Sequence, residues 1–389
     1  MLKLRNPMKC LVATAVVCVS ALLPAAAQTK PPLKIGGCFS VTGPASYAGV
    51  GAMKTVEMYV EAINAAGGID GRKVEFRGYD DESDASRANT LVKRLIENDK
   101  VHVIIGCSLT GPTMSAIPLV ERAGIPMVSL GAGSAIVEPV KKFVFKTIHT
   151  DAMVVSRLYD HMLGRGIKSI GVIAGSDAFG RSCLSAAQKL APEKGVKILR
   201  DESYNPKDTD MTVQLTKLRQ EPGLQAVLNC GFGEPAIIAT KNYKQLGITV
   251  PHYGTHGLAS NDFVRLAGGA AEDMIMANVS LLVWDQLPTS DPQQPVVQAY
   301  VKAYRAKFNE DPSFFAGTAH DAFFAIREAV RRSGSIESAK IRDAIEKGND
   351  FVGVTGHFRM NETDHVGLTP DSLRIVQVKN GRWKLVEKE

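Results

Sequence analysis

No two of the six cysteines stand at C-x-x-C spacing, so the zinc ribbons and dithiol redox centres built on that spacing are not encoded. G-x-x-x-x-G-K-[ST] is missing, and no G-x-G-x-x-G opens a helix after the first apolar strand, which removes the common phosphate cradles. "HYGTH" sets His252 and His256 four residues apart, yet it lacks the glutamate of H-E-x-x-H, and Pro251 and Gly254 argue against the helix a zinc pair needs. "GSDAFG" is not a nucleophile elbow, and Asp364-His365 lies in a polar stretch that reads as a solvated loop. Catalysis, a metal and a cofactor are therefore not expected. No lysine or arginine cluster tracks a phosphate backbone, so nucleic acid is not an expected partner.

What is present is a globular composition, 45% hydrophobic and 22% charged over 389 residues, enough for two domains with a core each. Residues 1–27 read as a secretory signal peptide: Lys3, Arg5 and Lys9 begin it, Cys10 to Leu23 is apolar, and Ala25-Ala26-Ala27 offers the cleavage site. The apolar run is shorter than the roughly 20 residues of a membrane span. The formal net charge is +6, and three positive charges with no negative one lie in the leader, so the mature chain carries +3. Cys10 and Cys18 leave with it. Of the remaining Cys38, Cys107, Cys183 and Cys230, the first two each follow a strand end and read as either a bridge or two buried thiols.

After the leader, strand-like runs alternate with helix-like ones. "LKIGGCF" reads as a strand, and Met53, Val56, Val60 and Ile63 give a helical stripe that stops at Gly67-Gly68. "VHVIIG", "IPMVSL" and "FVFKTI" follow as strands, and a second series runs through "SIGVIAG", "VKILRDESY" and "LQAVLNCG". Two such series predict two doubly wound α/β lobes with parallel sheets covered on both faces. Helical stretches around 298–308, 319–332 and 338–347 must pack on these lobes, ahead of two strands joined by an Asn-Gly hairpin turn. A chain that crosses between lobes more than once makes a hinge, and the cleft beside a hinge is the default ligand site.

The ligand-side loops of such sheets lie beyond the carboxyl ends of the strands. Here those loops are "SVTGPASYAGVG", "CSLTGPT" and "LGAGSAIVEP", all rich in small and hydroxylated residues. "IIGCSLTGPT" runs from a strand into a helix, whose first N–H groups attract an anion. It holds no lysine to meet a phosphate dianion, whereas a carboxylate needs only a few donors, which Ser108, Thr110 and the following amides supply. "HVIIGCSLTGPT" is weakly echoed in the second series by "AVLNCGFGEPA".

"LKIGGCFSVTGPASYAGVGAMKTVEMYVEAINAAGGIDGRKVEFRGYDDESD", with "GIPMVS", "DAFG", "KQLG" and "THGLASNDFVRLAGGAAE" further on, resembles type I periplasmic binding proteins of the leucine/isoleucine/valine-binding kind. The resemblance covers nearly the whole mature chain. It implies two lobes joined by a three-crossover hinge, with 30–149 plus 278–352 in the N-terminal lobe and 150–277 plus 353–389 in the C-terminal lobe. It implies a monomer in the periplasm that captures a small carboxylate, a branched-chain or other amino acid, without catalysis and delivers it to the membrane permease of an ABC transporter. By position, Thr110 and Ser108 meet the carboxylate with the Ala132 amide; Gly133 stands where a Ser or Thr is usual, with Ser134 adjacent; Tyr47 lines the pocket; and Phe179 and Phe232 fill aromatic positions in the second lobe. His256 falls where an acidic residue receives the ligand ammonium, unless Glu234 or Asp177 takes that part. An imidazole suits a carboxylate, hydroxyl or ring better, so the alternative ligand is an aromatic or short organic acid without an α-amino group. A ligand sensor for a separate signalling partner is a further alternative. The family's usual bridge is missing, because Ser83 replaces a cysteine, and Cys38 with Cys107 is the expected substitute.

Overall fold

The computed structural model describes residues 30–348 and 350–386, so the expected leader over 1–27 lies outside the described residues. The first lobe is built from β1 (Leu33–Phe39), α1 (Ser46–Ala65), β2 (Val74–Asp80), α2 (Ala85–Glu97), β3 (Val103–Gly106), α3 (Thr110–Ala123), β4 (Met127–Ser129) and β5 (Val144–Lys146). Its sheet has the order β2-β1-β3-β4-β5, parallel throughout. β3 is buried along its whole length and β1 at all but one residue. Helices cover both faces of such a sheet, which is why these strands read as unbroken apolar runs. α2 shows the complementary pattern: Ala88, Val92 and Leu95 form its buried stripe, and the Asp84 carboxylate caps it by accepting from Arg87 N at 2.8 Å.

The second lobe follows with α4 (Asp151–Gly164), β6 (Ser169–Gly175), α5 (Ala178–Lys194), β7 (Lys197–Tyr204), α6 (Thr212–Arg219), β8 (Ala226–Cys230), α7 (Gly233–Gln245), β9 (His252–Gly254), α8 (Asn261–Ala267) and β10 (Ile275–Asn278). The chain then returns to the first lobe as α9 (Gln294–Phe308), α10 (Phe314–Ser333), α11 (Ser338–Gly348) and the small hairpin of β11 (Asp350–Val352) and β12 (His357–Arg359). It finishes on the second sheet as β13 (Arg374–Lys379) and β14 (Arg382–Leu385), in the order β14-β13-β10-β9-β8-β6-β7. β13 and β14 form the expected hairpin, with Asn380 and Gly381 at φ 53° and 68°, the left-handed pair a two-residue turn requires.

Three expectations are corrected. Residues 353–368 do not belong to the second lobe as expected: Phe358, Met360, Val366 and Leu368 pack in the first core, and Lys146 N donates to His365 O at 3.0 Å, so this segment extends the β5 edge. Val354 instead packs in the other cluster, and the chain joins the second sheet at β13, whose Arg374 to Gln377 pair with β10. His365 is not in a solvated loop: it is buried, stacks on Phe145 with ring centroids 4.1 Å apart, and its Nε2 lies 3.2 Å from Glu346. The bridge is Cys183–Cys230, which ties α5 to the end of β8 across a Cα separation of 5.7 Å. Cys38 and Cys107 are free and buried, and the Cys38 thiol donates to Asp81 Oδ2 at 3.4 Å instead of pairing with sulfur.

The chain leaving β5 for the second lobe is tied to α10 and to the segment at 354–355. Asp321, buried in α10, accepts from the backbone N–H groups of Val354 and Thr355 at 2.9 and 2.8 Å and from Thr355 Oγ1 at 2.5 Å. Thr147 Oγ1 donates to Thr318 O at 2.9 Å, and Thr355 Oγ1 reaches Thr147 O at 3.3 Å.

Candidate functional site

The first lobe presents two loops from the carboxyl ends of β3 and β4. After β3 the chain passes through Ser108 and the extended Leu109 into α3, which begins at Thr110 and so turns its first N–H groups outward from the sheet. Thr110 Oγ1 accepts from Gly133 N at 3.1 Å, and Thr113 Oγ1 lies 2.9 Å from Ser129 Oγ, which accepts from Gly131 N at 3.0 Å. These bonds hold the 131–133 loop against the start of α3. A Cβ built on Gly133 would lie 2.4 Å from Thr110 Cγ2, so the absence of a side chain here is what lets Thr110 sit there.

Behind this loop lies a residue that periodicity did not single out. Lys146, fully buried at the end of β5, donates from Nζ to Ala132 O at 2.6 Å and Gly133 O at 3.4 Å. Burial lowers its pKa to about 7, opposed by the negative charge of Asp151. The signal for it was a lysine inside the otherwise apolar "FVFKTI".

From the second lobe, Phe179 follows β6, Phe232 follows β8 and His256 follows β9. The Phe179 ring meets Phe232 and His256 edge-on, each at 5.6 Å between centroids. Neither ring nitrogen of His256 has a hydrogen-bond partner, and burial, with Lys146 and His149 nearby, lowers its pKa to about 3, so the imidazole is neutral at physiological pH. Its Nε2 stands 3.9 Å from Asp151 Oδ1. Asp151 is also buried, with no hydrogen bond of ordinary geometry to either oxygen; burial pushes it up to about 6 against the pull of Ser182 and Lys146. Sequence reasoning missed Asp151 because it opens a helix, where an acid is commonplace.

The two sets of loops meet around one cavity of about 30 Å³. Tyr47, Ser108, Thr110, Ala132, Phe179, Phe232 and His256 all line it, with Leu130, Ile148 and Phe315 among the other walls. Gly133 and Ser134 do not: Gly133 shapes the loop, and Ser134 opens a short 3₁₀ turn with its hydroxyl buried and unpartnered. Asp177 caps α5, accepting from Phe179 N and Gly180 N, and Glu234 is exposed on α7, so neither lines the cavity. Tyr47 OH closes the mouth by donating to Gly257 O of the opposite lobe at 3.2 Å. Outside that contact the cleft widens into a groove of about 660 Å³. The inner volume is far below the roughly 300–1,000 Å³ of ordinary ligand pockets, so the lobes stand closed on too little space for a ligand of that size.

The sequence profile of the periplasmic binding protein family matches residues 32–382. The chain belongs to that family. This periplasmic binding protein is 27% identical over 340 residues to the leucine-, isoleucine-, valine-, threonine-, and alanine-binding protein of Pseudomonas aeruginosa, covering 85% of this chain and 86% of the relative. Among solved structures it resembles an extracellular ligand-binding receptor from Rhodopseudomonas palustris HaA2, with a TM-score of 0.85 at 28% identity over 91% of this chain and 99% of the other. The substrate-binding protein LivJ of Streptococcus pneumoniae, solved with isoleucine, shares the fold at a TM-score of 0.80 and 24% identity, covering 91% and 99% of the two chains. Periplasmic binding proteins of this kind are extracytoplasmic substrate-binding proteins of transporters and not enzymes. No helix among the described residues is long and apolar enough to cross a membrane.

Proposed function

We propose that this protein is the extracytoplasmic capture component of an ABC importer and that its ligand is a small monocarboxylate whose other end is apolar or aromatic and carries no ammonium group. The observation that carries this reading is the asymmetry of the cavity. Hydroxyls and the N-terminus of α3 lie on the first lobe, while two phenyl rings and a neutral imidazole lie on the second, with no carboxylate among the lining residues. An anion is favoured at the first wall. A cation at the second would lose its hydration and face only rings and imidazole. Binding to both walls favours the closed form, because a ligand drives closure only by its extra affinity for that form.

A second reading, an amino-acid ligand, is favoured by Asp151 standing 3.9 Å behind His256, near enough to receive an ammonium if the imidazole turns aside. The amino acids named for the Pseudomonas relative point the same way. Calorimetry on unfolded, washed and refolded mature protein against branched-chain amino acids and matched acids without the amino group, benzoate-type aromatics included, separates the two. The proposed reading expects tight binding of the plain acids alone, and His256→Glu should weaken it at least about tenfold through like-charge repulsion. Tight binding of the amino acids, abolished by Asp151→Asn, would replace it with the second reading.

A further inference from the structure

The carboxyl ends of β2, β1 and β3 lie side by side, and the register sets Cys38 opposite Tyr79 on one flank and Gly106 on the other. Asp81 and Cys107, just past those strands, therefore flank Cys38. One ligand atom from each of the three side chains lies within 4.8 Å of the other two, and all three residues are fully buried. The Cys38 Sγ to Asp81 Oδ2 distance of 3.4 Å is close to the roughly 3.5 Å edge of a tetrahedron with metal–sulfur and metal–oxygen bonds of about 2.3 and 2.0 Å.

The surroundings favour a cation. Ser40 Oγ and Ser83 N both donate to Asp81 Oδ1, at 2.6 and 2.9 Å, which fixes the carboxylate and leaves Oδ2 facing the sulfurs. This is the outer-shell support that a metal-bound carboxylate needs. Its hydrogen-bond partners are Ser40, Ser83 and the Cys38 thiol, all neutral, so the buried negative charge has no paired cation among them. The pairing of thiolates with a carboxylate suits Zn²⁺ better than the oxygen-seeking Mg²⁺ or Ca²⁺.

We propose that Cys38, Asp81 and Cys107 form a Zn²⁺ site that clamps the ends of three adjacent strands beneath the ligand cleft. Binding releases thiol protons as sulfur–zinc bonds form, with no change of oxidation state. The clamp is connected to the cleft, since Ser40 N donates to Ser108 Oγ at 3.3 Å and Ser108 lines the cavity.

The test uses the full mature chain with the Cys183–Cys230 bridge intact. Zn²⁺ content is measured by mass spectrometry, and Co²⁺ loading is followed by the near-ultraviolet charge-transfer band of a cobalt–thiolate bond. The expected result is stoichiometric metal, the cobalt band, and protection of Cys38 and Cys107 from alkylation during brief denaturant pulses. Cys38→Ser should remove the cobalt band or weaken metal binding by more than the roughly 10–100-fold expected of the outer-shell change Ser40→Ala. Alkylation of the unaltered protein keeps the test open if a variant does not fold. Two reactive thiols that retain no Zn²⁺ and give no band at equimolar Co²⁺ would overturn the proposal, as would isolation with Cys38 bridged to Cys107.

Discussion

Replacing Asp151 by Asn tests the electrostatics of the cleft floor directly. In the folded chain the carboxyl titrates at about 6 against an ordinary 3.8, because burial outweighs the help of Ser182 and Lys146. The folded state therefore holds its proton more tightly than the unfolded state. The resulting stabilisation is complete below about pH 4 and is lost as the pH rises through about 6. At 1.36 kcal/mol for each tenfold change in proton affinity, that loss amounts to about 3 kcal/mol. The amide that Asp151→Asn introduces has nothing to titrate. The variant should match the unaltered protein in acid and exceed it by up to about 3 kcal/mol at neutral pH, less whatever Lys146 forfeits by losing an opposite charge. Urea unfolding of both proteins across the acid-to-neutral range reads the difference. Parallel stability curves, with the same gap at every pH, would refute the argument.

Tyr47→Phe removes the hydrogen bond to Gly257 O across the mouth, worth about 1 kcal/mol, and should shift ligand-free protein about fivefold toward open forms, visible as a larger radius by small-angle scattering. Gly133→Ser introduces the hydroxylated residue that the sequence resemblance implies at this position, but its Cβ would fall 2.4 Å from Thr110 Cγ2. The displaced Thr110 should cost about 1–3 kcal/mol of packing and weaken ligand binding in calorimetry, not strengthen it. Replacing both Cys183 and Cys230 by Ala opens a loop spanning 47 positions in sequence, and loop entropy sets the expected loss near 4 kcal/mol, measured by thermal unfolding.

The elements legible in the sequence are those whose causes are local. Buried strands such as β3 and β8 announce themselves as short apolar runs ending in small residues, and the Asn380-Gly381 turn does so by its backbone requirement. The echo between "HVIIGCSLTGPT" and "AVLNCGFGEPA" maps onto β3–α3 and β8–α7, the strand ends that supply Thr110 and Phe232 to the same cavity. What escaped depends on neighbours distant in sequence. Lys146 finds its carbonyl partners on the adjacent strand's loop, 13 and 14 residues earlier. Cys183 meets Cys230 only because α5 lies over the end of β8, a matter of helix rotation that spacing does not reveal. The 353–368 segment carries few apolar residues, and its place was decided by Phe358 and by the free edge of β5.

The bonds that join Thr147, Thr318, Asp321 and Thr355 have a mechanical consequence. They anchor the root of one crossing, the chain that leaves β5 for α4, to α10 and to the 353–368 segment of the first lobe. Moving that root against its own lobe must break buried hydrogen bonds, so the pivot of this crossing begins beyond Thr147.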